Sequence, residues 1–480
     1  MRYCGISEFF HDAGMAFISK EGDIEFAAHA ERYSKNKLDL HMHDDLWKMI
    51  RNNDFTVFYE DLNDKKYTPE ILKLYSRGDN RGLIPNSFDY DASVNHHLSH
   101  AANAFYTRPW KSKEDTVILT VDGVGQVQTV GIYDHNLNLI SRKNVCKAVG
   151  LFYSAVTQIL GLIPLQDEYV VMGLSSYGKP ILTNKFLDLY DTLDELKDIN
   201  TMKSVKYHRE LKFKLIPNLV KGYSDKDIAA SIQKFTEIKI LEYASEARKY
   251  GSKLVYAGGV AHNVVANSLI RPLFDDMWIP TAAGDAGSSL GCAAYMYGNH
   301  TGKDRINWID PYLGYDIKRD INPKEVVNHL LEHTYCGIAN GRAEYGPRAL
   351  GNRSLIADVR FDVKDTVNEI KRRQKYRPFA PAILAEFAGE YFEGPMNEYM
   401  QYTSKALHDY KSVTHVDGTA RVQVVTKDCK SIIRPILEEY YERTGVPMLL
   451  NTSLNIRGMP MVNDEKDAAD WESMYKVKVF

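Results

Sequence analysis

A chain of 480 residues, 44% hydrophobic and 26% charged, exceeds what one compact core organises and is expected to fold as two or three domains. Its formal net charge of −3 gives no global electrostatic footing for a nucleic-acid partner, although a local basic pocket stays open. No apolar run is long enough to cross a bilayer and the opening stretch MRYCGISEFFHDAG lacks the basic-then-apolar layout of a signal peptide, so membrane association is not expected and a cytoplasmic location is.

In chain order, the first apparent strand, RYCGI, runs into SEFFHDAG, where His11 and Asp12 follow the strand end. His11 there is either a general base near neutral pH or a hydrogen-bonding partner of its own loop. NHHLSHAANAF predicts a helix with Leu98, Ala101, Ala102 and Phe105 as a buried stripe. His96 and His100 then share another face, one turn apart, where two imidazoles can reach one divalent ion. His97 points elsewhere and reads as a surface residue. TVILTVDGVGQ is a strand through Val121 with Asp122-Gly123 at its end, and AAGDAGSSLG places Asp285 beside another glycine. Each Asp-Gly pair taken singly is a tight turn. Together with the two histidines the aspartates form an N2O2 set suited to Fe(II), Mn(II) or Zn(II).

Residues 181–225 lose this pattern and read as a charge-rich insertion or cap. A long helix follows, with Ser224 or Asp225 as N-cap and Ile228, Ile232, Phe235 and Leu241 on one side. SKLVYAGGVAHNVVANSLI is a strand through Tyr256, a Gly258-Gly259 turn, and a helix from about Val260 with Val264, Val265, Ser268 and Leu269 at helical spacing. The amides of Gly258 and Gly259, with Asn263 nearby, are candidates for a nucleotide, although strand–helix packing explains the glycines equally well. Such alternation of strand, glycine and helix points to an α/β architecture with ligands at the carboxyl ends of strands. No internal repeat is visible. The five cysteines, Cys4, Cys146, Cys292, Cys336 and Cys429, are widely spaced without CxxC and read as free buried thiols.

A second unit is expected from about residue 325, giving domains 1–325 and 326–480. Its cations cluster among glycines and prolines: Arg342, Arg348 and Arg353, then Lys371, Arg373 and Arg377 in IKRRQKYRPFAPAIL, then Arg421 in DGTARVQVV. A solvated basic face is the usual account of such a run. Turns that lead into apolar strands favour a pocket instead, and LLNTSLNIRG adds Thr452, Ser453 and Asn455 as small donors. Guanidinium forks bind phosphate bidentately, and several together fit a substrate with more than one phosphate.

The stretches GISEFFHDAG, HHLSHAANAFY, TVDGVG, VMGLSSYG, AGGVAHNVVAN, AAGDAGSSLG, GRAEYGPRALGNRS, RPFAPAIL, THVDGTARVQVV and NTSLNIRGMPMV occur in this order. In them the chain resembles the O-carbamoyltransferases of the nodulation and antibiotic-tailoring type. The resemblance implies an N-terminal domain of the actin and sugar-kinase ATPase (ASKHA) fold, like the universal tRNA threonylcarbamoyl transferase (Kae1-like). It implies a C-terminal α/β domain like the enzyme that makes threonylcarbamoyl-adenylate (YrdC-like). By the same resemblance the C-terminal domain makes carbamoyl-adenylate and pyrophosphate from carbamoyl phosphate and Mg-ATP. The N-terminal domain then passes the carbamoyl group to an acceptor hydroxyl and releases AMP. His96, His100, Asp122 and Asp285 match the family's metal ligands, usually for iron, and His11 matches the residue that deprotonates the acceptor. Lys371, Arg373, Ser453 and Asn455 match the lysine-x-arginine and serine-x-asparagine signature of the adenylate-forming domain, and Arg348 and Arg421 match arginines of its anion pocket.

Two departures stand out: Tyr169-Val170 replaces a usual glycine-lysine before VMGL, and His262 replaces a common leucine. The expected acceptor is a small molecule, sugar or nucleotide bearing a hydroxyl, and a homodimer is compatible with the sequence. Three other readings compete: an actin-like ATPase or sugar kinase, a tRNA-directed carbamoyl transferase, and a non-catalytic metal- or nucleotide-binding scaffold.

Overall fold

The structure, a computed structural model, describes residues 1–9, 11–60, 90–125, 128–144, 147–192 and 214–480. It divides into two compact units, one of residues 1–30 and 38–308, the other of residues 31–37 and 309–480.

The first unit is built on two five-stranded sheets. The first comprises β1 (Arg2–Ser7), β2 (Gly14–Ile18), β3 (Ile24–His29), β4 (Asp54–Phe58) and β5 (Ala92–Ser93), in the order 3-2-1-4-5. Strands β1, β2 and β3 form an antiparallel meander, and β4 and β5 extend the sheet in parallel from β1. The second comprises β6 (Thr116–Gly125), β7 (Gln128–Tyr133), β8 (Leu139–Asn144), β9 (Lys253–Ala257) and β10 (Asp276–Trp278), in the order 8-7-6-9-10. Its pairings repeat the plan: antiparallel along β6, β7 and β8, parallel from β6 to β9 to β10. The unit is therefore an internal duplication, the arrangement of the actin and sugar-kinase ATPases. No repeat is visible in the sequence because the halves share hydrogen-bond topology, which many side-chain patterns satisfy.

Helix α1 (His96–Tyr106) packs on β6, β7 and β9 of the second sheet and is buried on every face except at Leu98. The expected stripe is thus too narrow, and Leu98 is its least buried member. Small residues make this possible. The helices α2 (Glu168–Ser175), α3 (Asp225–Ala247), α4 (Val264–Ile270) and α5 (Asp285–Thr301) follow. α5 lies so close to α1 that a Cβ on Gly291 would stand 1.9 Å from the Ser99 carbonyl oxygen. Ser224 caps α3 by accepting the Asp227 amide at 3.2 Å, and Ile228, Ile232 and Phe235 are buried as expected. Leu241 is not; the buried face continues through Lys239, Ile240 and Tyr243. A 3-10 turn over Gly259–His262 delays α4, so its buried residues are Val264, Ala266, Asn267 and Ile270 and the predicted Leu269 is exposed. Of the expected insertion, residues 193–213 lie outside the described residues; its flanks hold short helices at Thr183–Asp191 and Ile216–Val220.

The second unit is α/β. Its main strands are β11 (Tyr335–Ala339), β12 (Arg353–Ala357), β13 (Ala380–Leu384), β14 (Gln423–Val425) and β15 (Met448–Ser453), ordered 11-12-15-13-14. All pairs are antiparallel except β13 with β14. Because alternate side chains leave opposite faces, the sheet seeds two cores: Leu355, Ile383 and Leu450 enter one, and Ile356, Ala382 and Leu449 the other. The four described cysteines, Cys4, Cys292, Cys336 and Cys429, are free thiols. Among the described residues no helix is long and apolar enough to cross a membrane.

The α1–α5 contact is testable. Gly291→Ala should force the two backbones apart and cost ~1–3 kcal/mol, read as a lower denaturant midpoint. Gly389→Ala, where an added Cβ meets nothing within 4 Å, is the control and should leave the midpoint in place.

Candidate active site

In the first unit, His96 and His100 on α1, Asp122 on β6 and Asp285 in the first turn of α5 each offer one ligand atom, and these atoms lie within 4.8 Å of one another. Asp122 Oδ2 is 2.8 Å from His96 Nε2 and 3.3 Å from His100 Nε2. Asp285 Oδ1 is 3.7 and 3.4 Å from the same two nitrogens. The nitrogens face each other at 3.1 Å. Strand β6 continues through Gly125, so Asp122 sits within the strand and not at its end as the sequence suggested.

The back of each ligand is also held. His96 Nδ1 lies 2.9 Å from Glu60 Oε1, His100 Nδ1 lies 3.3 Å from Ser288 Oγ, and Asp122 Oδ1 accepts the Gly259 amide at 2.9 Å. Carboxylate–imidazole pairs of this kind fix ring orientation and leave Nε2 to the ligand. Burial opposes charge on His96, yet Asp285, Asp122 and Glu60 push its pKa well above the usual value. Burial likewise opposes ionisation of Asp122, while His100 and His96 hold it well below the carboxylate range. A divalent cation would take the place of the protons that this charge arrangement holds, and the N2O2 donor set fits one.

His97 is corrected from surface residue to core. Its ring bridges Thr120 Oγ1 and the Gln128 carbonyl, each at 2.9 Å, and burial followed by repulsion from His96 holds its pKa at about 3. The neutral ring ties α1 to β6 and β7.

The Gly258-Gly259 turn serves the same cluster. Gly258 has φ +99°, and a Cβ there would meet the Val121 carbonyl oxygen at 2.2 Å. Its amide donates to the Ala283 carbonyl at 2.8 Å, while that of Gly259 goes to Asp122. Of the two readings the sequence left open for this turn, a nucleotide contact or strand–helix packing, the second accounts for both amides here. Asn263 is occupied too: its Oδ1 caps α4 at the Ala266 amide, 3.1 Å, and its Nδ2 donates to Gln233 Oε1 at 3.0 Å. His11 engages the Leu165 carbonyl at 2.9 Å through Nε2. Val170 is buried, an apolar core position where the resemblance implies a lysine.

In the second unit, Arg348, Arg373 and Arg377 each act electrostatically on Arg421. The Arg421 guanidinium is pushed well below its usual range by burial and then by repulsion from Arg348, Arg373 and Arg377, and its buried Nε has no hydrogen-bond partner. Lys371 is likewise pushed well down by burial, then by Arg373 and Arg377. Its ammonium bonds the Ser453 carbonyl, Ser453 Oγ at 3.2 Å, and the Asn455 carbonyl and Oδ1, both at 2.9 Å. Arg373 donates to Asn368 Oδ1 at 2.6 Å and lies 4.1 Å over the Phe379 ring. This is a concentration of positive charge suited to an anion with several oxygens.

Arg353 and Arg342 are placed differently. Arg353 is fully buried and donates to the carbonyls of Asn340, Gly341, Asn352, Tyr315 and Asn463, so its guanidinium is committed to the fold and the expectation of an anion contact is corrected. Arg342 donates to the Leu313 and Gly314 carbonyls at 2.5 and 3.3 Å.

Two carboxylates were missed. Glu344 Oε1 accepts the amides of Leu350, Asn352 and Arg353 at 2.8, 2.9 and 3.2 Å, closing the loop that carries Arg348. In sequence it is one acid among arginines. Glu60, behind His96, had a legible signal, a carboxylate ending the apolar run DFTVFYE.

Residues 51–294 match the family described as carbamoyltransferase N-terminus, and residues 327–480 match carbamoyltransferase C-terminus. Nodulation protein NolO of Bradyrhizobium diazoefficiens is 32% identical over 426 residues, covering 78% of this chain and 75% of that protein. Nodulation protein NolNO of Sinorhizobium fredii is 34% identical over 446 residues, 81% of this chain but only 63% of its own length. An uncharacterized protein of Synechocystis is 30% identical over 583 residues, 97% of this chain and 93% of its own.

Two outcomes are expected. Glu60→Ala should weaken divalent-metal affinity ~10–100-fold by freeing the His96 ring while leaving every ligand in place, as read by competition with a chromogenic chelator. Pyrophosphate at a hundred times its dissociation constant should stabilise the chain by ~2.7 kcal/mol in thermal unfolding, and Arg421→Met should remove most of that gain.

Proposed function

The chain belongs to the carbamoyltransferase family and is a transferase enzyme, and on that footing we propose that it is an ATP-dependent O-carbamoyltransferase working through carbamoyl-adenylate. The observation that carries the reading is the presence, in one chain, of both a buried four-ligand cluster and a separate group of cations around Arg421. A simple sugar kinase would have no use for the second.

The carbamoyl carbon is a poor electrophile because nitrogen donates into the carbonyl, so it needs a good leaving group. In the proposed first half-reaction, carbamoyl phosphate and ATP give carbamoyl-adenylate. Pyrophosphate and the donor's phosphate leave, with one water closing the balance. Arg348, Arg373, Arg377 and Arg421 stabilise charge on the phosphate oxygens as it builds in the transition state. Lys371 holds Ser453 and Asn455, and so shapes the pocket wall. In the second half-reaction an acceptor hydroxyl attacks the carbamoyl carbon, AMP leaves, and His11 takes the hydroxyl proton. A metal held by His96, His100, Asp122 and Asp285, with iron favoured and zinc or manganese as alternatives, would supply Lewis acidity to this step. Support for a small-molecule hydroxyl acceptor comes from the nodulation relatives, and the division of labour between residues 1–325 and 326–480 is part of the same proposal.

The test is mass spectrometry of the chain with ATP, magnesium and labelled carbamoyl phosphate and no acceptor. Carbamoyl-adenylate and pyrophosphate should appear. Asp122→Ala should keep that step and lose transfer, whereas Lys371→Ala should lose adenylate formation and still transfer from supplied carbamoyl-adenylate. Loss of the same step in both variants would sink the two-site division.

A further inference from the structure

The short segment between the helix Val149–Ile159 and α2 contains a residue with an unusual backbone. Leu165, which is not glycine, has φ +63°. A left-handed conformation at a side-chain-bearing residue persists where surrounding contacts impose it. Here those contacts come from three side chains. Glu168 Oε1 accepts the Leu165 amide at 2.7 Å and the Ser154 hydroxyl at 2.6 Å. The adjacent Asp167 Oδ2 accepts the Ile163 amide at 3.2 Å. On the other side of the same residue, the Leu165 carbonyl meets His11 Nε2 at 2.9 Å.

A peptide carbonyl can only accept, so the ring nitrogen facing it must carry the proton. The other nitrogen, Nδ1, then holds the lone pair. We propose that Glu168 is a positioning residue that acts through Leu165: it fixes the orientation of that residue's backbone, which holds His11 as the Nε2–H tautomer and leaves Nδ1 as the atom that takes the acceptor's proton. The inference rests on the reading of His11 as the base.

The chain of contacts is specific. Ser154 belongs to a helix and anchors the carboxylate; the carboxylate anchors the Leu165 N–H; the Leu165 backbone presents its carbonyl to His11. Glu168 and the His11 ring act on each other electrostatically, while the hydrogen bonds of the carboxylate go to Leu165 and Ser154. What the arrangement requires of position 168 is an acceptor oxygen, and the negative charge is incidental. Glutamine supplies that oxygen at nearly the same place, and alanine does not.

The experiment is nitrogen-15 NMR of the full chain labelled at histidine, with the His11 signals assigned from their loss in His11→Asn. AMP release from carbamoyl-adenylate is measured alongside, with glycerol as the hydroxyl probe. The wild type should show one protonated Nε2 and an unprotonated Nδ1 for His11. Glu168→Ala should average the two nitrogens toward mixed tautomers and lower kcat for AMP release at least tenfold, with adenylate formation unchanged. Glu168→Gln should restore the tautomer and recover most of the lost rate. The proposal is overturned if Glu168→Ala leaves the His11 signals as they are, or if Glu168→Gln is as damaging as alanine, since the charge itself would then be in use. If no variant, nor the wild type, releases AMP while the tautomer still follows position 168, positioning stands and the carbamoyl-transfer reading falls.

Discussion

Asp122 is a carboxylate buried at the centre of the first unit, and much of that unit is arranged to balance it. A charge removed from water is costly unless it is paired and its remaining lone pairs are met. One oxygen is met by the Gly259 amide and the other by two imidazoles from adjacent turns of α1. Those imidazoles need acceptors of their own, which places Glu60 behind His96 and Ser288 behind His100. Each requirement fixes another element: the end of β4 through Glu60 just beyond it, α5 through Ser288, and the turn after β9 through Gly259. The cluster and the close helix packing around it are one construction.

The second unit poses the opposite electrostatic problem. Its cations crowd together, so their repulsion must be offset by rigid anchoring of the chain that carries them. Lys371 is enclosed by oxygens of Ser453 and Asn455, Arg373 is fixed by Asn368 and Phe379, and the loop bearing Arg348 is closed by Glu344. Arg353 is spent wholly on carbonyls and frames the same region. Cations held in place by such means incur little reorganisation when an anion arrives, which is how preorganised sites stabilise developing charge.

The two units thus use charge differently. In the first, opposite charges converge closely enough to share a cation. In the second, like charges are kept near one another around the place an anion would occupy. The proposed mechanism would use both environments, because phosphate chemistry calls for cationic stabilisation and hydroxyl attack calls for a base and a Lewis acid.

The metal-ligand candidates were legible in the sequence through local rules, since histidines four apart share a helix face and Asp285 beside glycine opens a helix, although Asp122 lies within its strand rather than at the expected end. The cation clustering was legible for a similar reason, since arginines among glycines and prolines are poorly explained as a helix surface. Composition and motif order also set the α/β class and the two-part organisation. Tertiary structure alone decided the rest. His97 became a core residue because β6 and β7 supply its partners, and Arg353 became structural because the neighbouring Asn352 carbonyl and four from more distant residues surround it. The duplication was hidden because strand order and direction are carried by backbone hydrogen bonds, which leave the side chains free to diverge. The glycine turn reads identically whether its amides face a phosphate or a carboxylate, and only the tertiary structure shows the Gly259 amide donating to Asp122.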